Sequence, residues 1–254
     1  MRFWKWHALG NSYLLVETAG GAGLEPALAR RLCDSLYGVD GDGVLEIRAR
    51  VGASCDVVIW NPDGSTAGMS GNGTRIAAAW LLERTGAERV DVRVGERTVR
   101  ARRRGALIEQ EIGAVSVGAP ETLVVAGETV EVVPVDVGNP HAVVPTARPT
   151  QELLRRLGPA LERHERFPER TNVQLAHRDG PHDVTALIWE RGAGETAASG
   201  SSAVAVAAAA VALGWCESPV TVHAPGGDLV VSLAAGETTL VGPAEEICAG
   251  ETAF

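Results

Sequence analysis

The 254-residue sequence contains no uninterrupted run of 18 or more apolar residues, so no segment is predicted to span a membrane as a helix. The amino-terminal stretch MRFWKWHALGN also lacks the continuous apolar core of a secretory signal, because Lys5 and His7 interrupt it. We therefore expect a soluble protein that has no membrane partner and lies in the cytoplasm.

Metal, redox and nucleic-acid motifs are missing as well. The cysteines form no CxxC pair and have no histidine at metal-ligand spacing, which predicts buried free thiols and no metal. The net charge of −9 disfavours binding to nucleic acid, and the basic cluster from Arg100 to Arg104 lacks interleaved aromatic residues that could stack on bases. We interpret that cluster as a solvated strand edge or turn. The four cysteines are Cys33, Cys55, Cys216 and Cys248.

Apolar residues make up 45% of the chain, enough for a sizeable core, and most of them lie in short β-branched runs between turn signals. This pattern predicts a mainly antiparallel sheet. Helices are predicted for four segments: PALARRLCDSLYG, GNGTRIAAAWLLERTG, QELLRRLGPALERH and SSAVAVAAAAVALG. The last segment carries small apolar residues on every face, so we expect a helix that is buried all round and ends at Gly214.

Two motifs occur twice in the same order. GNSYLLV and GNPHAVV are offset by 128 residues, and WNPDGSTAGMSGNG and WERGAGETAASGSS are offset by 129 residues. Two separate motifs at nearly one spacing indicate an internal duplication. We therefore predict an α+β protein of two like domains, residues 1–115 and 116–244.

Each half places a Ser-Gly step before an Ala-rich helix. Taken singly, such a serine would be a helix cap, because its oxygen accepts a hydrogen bond from an orphan amide. Taken together, the two helix starts predict a polar site in a cleft between the domains, since the amino terminus of a helix favours a carboxylate. Asp63 and Ser65, in NPDGS, are interpreted as turn residues.

The motifs closely resemble those of diaminopimelate epimerase over the whole chain. They are HALGNSYLLVE, GVDGDGVL, NPDGS followed by MSGNGTR, GNPHAVV, TNVQLA and ERGAGETAASGSS. The resemblance implies two pseudosymmetric α/β domains, each a mainly antiparallel sheet wrapped around a central helix, with residues 245–254 returning to the first domain. It implies an isomerase that needs neither pyridoxal phosphate nor another cofactor and interconverts LL- and meso-diaminopimelate for lysine and peptidoglycan precursors. The sequence leaves the oligomeric state open between a monomer and a homodimer.

The resemblance also implies the residues of the site. His141 and Glu190 match groups beside the proton-transferring residues, and Arg191 suits a bidentate grip on the distal carboxylate of the substrate. Gly71, Asn72, Gly200 and Ser201 match backbone donors to the α-carboxylate. The other positions that match substrate-holding residues are Asn11, Asn61, Asn139, Asn172 and Glu190.

The sequence departs from the family at the two catalytic positions. There the resemblance implies paired cysteines, a thiolate and a thiol, whereas this chain has Ser70 and Ser199. A free thiol has a pKa of about 8.5 and a serine hydroxyl one near 16, a gap of about 7 units or about 10 kcal/mol. A helix dipole supplies about 2 kcal/mol at best. Neither serine alone is therefore expected to remove an α-proton.

Three hypotheses follow from these serines. The first is an epimerase whose serines are activated by neighbours such as His141 or Glu190. The second is a one-base reaction in the same cleft, an isomerisation or a dehydration. The third is a non-catalytic binder of amino acids, natural or engineered. The residues after the second Ser-Gly step have also drifted from the family pattern, which favours a natural divergent member over an engineered pair of serines.

Overall fold

The computed structural model describes residues 1–18, 20–234 and 236–254. It contains four helices among these residues: α1 (Pro26–Cys33), α2 (Gly71–Thr85), α3 (Gln151–Glu162) and α4 (Gly200–Ala212). In the part of the chain so described, no helix is long and apolar enough to cross a membrane.

The chain divides into two compact units, Met1–Glu111 with Val241–Phe254, and Ile112–Leu240. The sequence had placed the junctions at residues 115 and 244. The first unit contains the strands β1 (Arg2–Ala8), β2 (Asn11–Glu17), β3 (Val44–Val51), β4 (Ser54–Trp60), β5 (Thr66–Ala67), β6 (Arg89–Val94), β7 (Arg97–Arg104), β8 (Leu107–Glu111) and β19 (Glu245–Glu251). Within it, β19 pairs with β1, and the order continues through β2, β3, β4, β6, β7 and β8. Only the β2–β3 and β4–β6 pairs are parallel.

The second unit repeats this topology. Its strands are β9 (Ser116–Val117), β10 (Glu121–Val125), β11 (Glu128–Asp136), β12 (Pro140–Pro145), β13 (Asn172–Arg178), β14 (Asp183–Glu190), β15 (Gly194–Thr196), β16 (Val220–Ala224) and β17 (Gly227–Ala234). The strand β18 (Glu237–Gly242) begins in this unit and ends in the first, because the units divide after Leu240. The order β10, β11, β12, β13, β14, β16, β17 again has two parallel pairs, β12–β13 and β14–β16. The predicted duplication and mainly antiparallel fold are confirmed.

Each unit packs its sheet around one long helix that starts at a Ser-Gly step. In α2, residues Asn72 to Leu82 are all buried, and the helix ends at Gly86 in the left-handed conformation with φ 63°. In α4, every residue from Ser202 to Ala210 is buried, as the small apolar residues on all its faces predict. Gly214, with φ 68°, follows its last turn. The two helix starts, at Gly71 and Gly200, lie where the sequence predicts them.

Some local predictions need correction. The first helix ends at Cys33 rather than near Gly38, because the Asp34 carboxylate accepts hydrogen bonds from the amides of Leu36 and Tyr37 and turns the chain there. Three of the four cysteines are buried, but Cys248, on β19, is exposed. The Arg100 to Arg104 cluster lies on β7, and its exposed guanidinium groups pair with Glu109 and Glu111 across the strand pair with β8.

The packing of α3 on β14 gives a test of how tightly the end of β14 is held. A Cβ on Gly158 of α3 would lie 2.8 Å from ring atoms of Trp189, the residue before Glu190. Helix propensity alone would make Gly158→Ala stabilising by about 1 kcal/mol. We expect the steric clash with Trp189 to outweigh the gain in helix propensity, so that the variant is destabilised by about 1–3 kcal/mol in urea unfolding. Gln151→Ala, at the exposed start of the same helix, is the control. A stabilised Gly158→Ala protein would contradict this packing.

Candidate active site

Ser70 occupies the N-cap of α2 and uses its hydroxyl as a cap. Its backbone is extended, with φ −145° and ψ 119°, and its Oγ accepts a hydrogen bond from the Gly73 amide at 3.0 Å. The phenol of Tyr13, on β2, lies 3.2 Å from the same Oγ. Among the described residues, no carboxylate or imidazole is hydrogen-bonded to Ser70. In the described parts of the chain, the side chain hydrogen-bonded to Ser70 Oγ is the phenol of Tyr13.

The first turn of α2 also carries a short chain of polar side chains. The Asn72 Nδ2 donates to Asn11 Oδ1 at 3.2 Å, and Arg75 Nη2 donates to Asn72 Oδ1 at 2.9 Å. Arg75 is 0% exposed, and its Nε donates to the carbonyl of Pro243. Burial lowers the pKa of Arg75 to about 10, so the guanidinium remains charged at neutral pH. It pairs with no carboxylate in the described parts of the chain. A buried cation thus holds the side chain of Asn72 in the first turn of α2.

Ser199 has almost the same backbone but a different hydrogen bond. It is the N-cap of α4 with φ −145° and ψ 129°, yet its side chain makes no capping hydrogen bond. Instead its Oγ donates to Glu190 Oε2 at 3.2 Å, at the end of β14. Ser199 is 4% exposed. The two helix starts therefore share their geometry but differ in the group that touches the serine hydroxyl.

Glu190 has the electrostatic setting of a general base. Its side chain is half-buried, and this burial raises the pKa of the Glu190 carboxyl above its usual value, while the side chains of Thr196 and Ser199 partly offset the effect. A raised pKa brings a carboxylate closer to the pH at which proton transfer is most effective. Glu190 and Ser199 together form a base and a hydroxyl in direct contact.

His141, on β12, is locked in a neutral form. Its ring is 1% exposed, its Nε2 lies 3.1 Å from Asn139 Oδ1, and its Nδ1 lies 3.1 Å from Gln174 Nε2. Burial lowers the pKa of His141 to about 3, with a smaller opposing contribution from the Gln174 hydrogen bond. Gln174 also donates to Ser202 at 3.0 Å. The hydrogen bonds of His141 thus lead through Gln174 to Ser202, in the first turn of α4, and not to Ser199.

The amide and guanidinium groups of the second unit hold the loop after β14. Asn172 Nδ2 donates to the Pro140 carbonyl, and its Oδ1 accepts from the Arg191 amide at 3.0 Å. The Arg191 side chain is exposed and donates to the Glu169 carbonyl at 3.1 Å. Asn172 is therefore built into the loop, whereas the guanidinium of Arg191 reaches solvent.

In the first unit, Asn61 lies in the turn that follows β4. Its Nδ2 donates to Ser65 Oγ at 2.9 Å, and Asp63 accepts from both the amide and the hydroxyl of Ser65. Asp63 and Ser65 are thus turn residues, as the sequence predicts.

Comparisons with known proteins identify the family of this chain. The family model for diaminopimelate epimerase matches residues 3–118 and 133–246. The chain belongs to the diaminopimelate epimerase family. It is 36% identical to the diaminopimelate epimerase of Desulfitobacterium hafniense, with 91% of this chain and 90% of that protein covered. It is 34% identical to the enzyme of the same name from Pelotomaculum thermopropionicum, over 99% and 98% of the two chains. The crystal structure of a predicted epimerase from Pseudomonas aeruginosa has the same fold, with a TM-score of 0.75 at 20% identity over 100% and 99% of the chains.

Family membership makes this protein an isomerase of the amino-acid epimerase and racemase class. Of the two neighbours named from the sequence as possible activators, the structure brings Glu190 to Ser199, and it directs His141 to Asn139 and Gln174. Asn11 lies against Asn72, and Gly71, Gly200 and Ser201 open their helices, where the first amides lack partners within the helix.

Three residues of this diaminopimelate epimerase homologue were missed by the sequence reasoning: Tyr13, Arg75 and Gln174. Each lies inside or directly after a motif that was quoted, and each touches a predicted site residue. The repeat itself offers a signal for Tyr13, because GNSY aligns with GNPH and makes Tyr13 the position equivalent to His141. No comparable signal in the sequence singles out Arg75 or Gln174.

The neutral state of His141 predicts a pH-dependent stability. The unfolded chain takes up a proton at a pKa of about 6.5, but the folded chain does so only at about 3. The contribution of neutral His141 to the free energy of unfolding is therefore complete above pH 6.5. It is lost as pH falls toward 3, at up to about 1.4 kcal/mol per pH unit. We expect the wild type to lose about 2 kcal/mol more than His141→Gln between pH 7 and pH 5 in urea titrations.

The control for this experiment is His182→Gln at an exposed histidine. Its pH dependence should follow that of the wild type. Equal acid sensitivity in the wild type and His141→Gln would mean that His141 takes up its proton over the same pH range in the folded and the unfolded protein, which would contradict its neutral state.

Proposed function

We propose that this protein is a cofactor-independent amino-acid epimerase that acts on diaminopimelate or a close analogue and exchanges its α-proton with serines in place of the cysteines. The contact between Ser199 Oγ and Glu190 Oε2, at 3.2 Å, carries the proposal. It gives one serine a carboxylate base. The family to which the chain belongs supports the reaction class.

The chemistry on the Ser199 side needs both groups. As Ser199 Oγ takes the α-proton of the substrate, Glu190 takes the hydroxyl proton of Ser199, so no free alkoxide has to form. The electron pair of the broken C–H bond moves into the α-carboxylate. Helix starts that present backbone amides to that carboxylate stabilise the added negative charge. The carboxylate of Glu190 supplies the basicity that a serine hydroxyl lacks.

The proposed substrate class rests on the residues that match those holding the distal end of the substrate in the family. Arg191 presents an exposed guanidinium, which suits a second carboxylate, and Asn61 lies in a polar turn. A monocarboxylic amino acid would leave the guanidinium without a partner on the ligand. We infer that the substrate carries a carboxylate at each end.

A one-base isomerisation or dehydration is the second candidate. The asymmetry of the two serines favours it, because among the described residues Ser199 is hydrogen-bonded to a carboxylate and Ser70 is not. It differs from epimerisation in its product, so one experiment separates them.

Proton NMR in deuterium oxide tests the function. We expect the wild type to remove the α-proton signal from meso- and LL-diaminopimelate and to interconvert the two isomers. A Ser70→Cys/Ser199→Cys variant serves as the comparison, since it restores the thiols implied by the family. Exchange without interconversion would favour the one-base reaction. A silent wild type beside an active double variant would mean an epimerase site that is disarmed at its two serines and is used for binding or for another reaction, and silence from both would exclude this substrate.

The proposed base predicts a pH profile. Catalysis needs ionised Glu190, so activity should fall as pH drops through the pKa of that carboxyl, and burial places this loss above the ordinary value of 4.5. Glu190→Gln should lower the exchange rate at least about 100-fold and remove the acid limb of the profile. Glu195→Gln, which removes an exposed carboxylate paired with Arg155, is the control. An unchanged acid limb in Glu190→Gln would exclude Glu190 as the base.

A further inference from the structure

Epimerisation also needs a proton donor, and the Ser70 side has no carboxylate or imidazole hydrogen-bonded to its hydroxyl in the described residues. A serine that gives up its proton to a carbanion must regain one at once, because a free alkoxide is about 10 kcal/mol less stable than a thiolate at neutral pH. The group that touches Ser70 Oγ is the phenol of Tyr13, at 3.2 Å.

We propose that Tyr13 is a positioning residue for Ser70 that aims its hydroxyl at the substrate and replaces its proton as that hydroxyl protonates the α-carbon. This inference rests on the proposed function and assigns the second half of its proton transfer.

The hydrogen bonds of Ser70 support this direction of transfer. A hydroxyl oxygen has two lone pairs and one proton. One lone pair of Ser70 Oγ accepts from the Gly73 amide at 3.0 Å. When Tyr13 donates to the second lone pair, both lone pairs of Ser70 Oγ are occupied. The Ser70 proton is then free to be donated to a ligand. The two neighbours together fix the orientation of the hydroxyl.

Packing holds the phenol in place. Tyr13 is 7% exposed and belongs to the buried cluster around α2, on the strand that follows Asn11. A Cβ on Gly43 would fall 2.6 Å from Cε1 of the ring, so the glycine is needed to admit it. The hydroxyl therefore stands on a ring that has little room to turn.

The repeat shows that this arrangement is specific to the first unit. Tyr13 and His141 occupy equivalent positions after the Gly-Asn pair, but the His141 ring contacts Gln174, whereas the Tyr13 phenol contacts the N-cap serine. In the second unit the N-cap serine contacts Glu190 instead. One serine thus has a carboxylate beside it and the other a phenol, a weaker acid.

The transfer balances in protons. The α-carbanion takes the proton of Ser70, a C–H bond forms, and the electron pair of the broken O–H bond stays on Oγ. That oxygen takes the proton of Tyr13, whose phenolate keeps the second electron pair. Glu190 meanwhile holds the proton removed from the other face. After product release, Glu190 returns its proton to water and the phenolate regains one from water. In the reverse direction the phenolate is the base.

The test compares Tyr13→Phe with the wild type and with Tyr37→Phe, at a tyrosine that is 78% exposed. Each protein is incubated with LL- and with meso-diaminopimelate in deuterium oxide. We expect Tyr13→Phe to interconvert the isomers at least about 100-fold more slowly. It should still exchange the α-proton of the one isomer that faces Ser199, with retention of configuration. General structural damage would lower exchange and interconversion together, and that outcome, or interconversion at the wild-type rate, would overturn the inference.

A second measurement covers the case in which Tyr13→Phe does not fold. The chain contains two tyrosines, so fluorotyrosine incorporated into Tyr37→Phe replaces Tyr13 alone. Interconversion should then change with the acidity of the phenol, while exchange on the Ser199 side should not. Rates independent of fluorination would overturn the inference. A wild type that neither exchanges nor interconverts would refute the proposed function itself, and the role of Tyr13 would fall with it.

Discussion

A serine at the start of a helix can use its hydroxyl in two ways. It can satisfy an orphan amide of the first turn, or it can bond to a group outside the helix. Ser70 accepts from the Gly73 amide, and Ser199 leaves its helix uncapped and donates to Glu190. Because an unassisted hydroxyl is too weak an acid and too weak a base for the proposed proton transfer, the partner of each serine decides what that serine can do.

The duplicated fold keeps the backbone constant while these partners change. At the end of β4 and near the end of β14, a tryptophan indole donates to a buried carboxylate, Trp60 to Glu46 at 2.9 Å and Trp189 to Glu162 at 2.8 Å. Burial would raise the pKa of Glu46, but hydrogen bonds from Trp60, Thr18 and the Leu24 amide outweigh it and lower that pKa. These hydrogen bonds tie the end of each of the two strands to a buried carboxylate.

Much of the architecture could be predicted from the sequence, because repeated motifs, turn signals and two Ala-rich segments all report local backbone preferences. The starts of α2 and α4 follow from the Ser-Gly steps, and Gly214 follows from the need for a left-handed residue. The hydrogen-bond partners could not be predicted in this way. That Ser199 contacts Glu190 while His141 contacts Gln174 depends on side-chain directions across neighbouring strands, and residue order does not record them.

The strength of the base sets a last constraint on the site. A carboxylate is a weaker base than a thiolate, and each pKa unit costs about 1.4 kcal/mol of driving force for removal of the α-proton. Stabilisation of the carbanion has to offset that loss. The helix start at Gly71 presents backbone amides, and the buried guanidinium of Arg75 holds the side chain of Asn72, the next residue, through a 2.9 Å hydrogen bond. A cation without a carboxylate partner costs folding free energy in so buried a position. Its placement behind this helix start puts a preorganised positive charge beside Asn72.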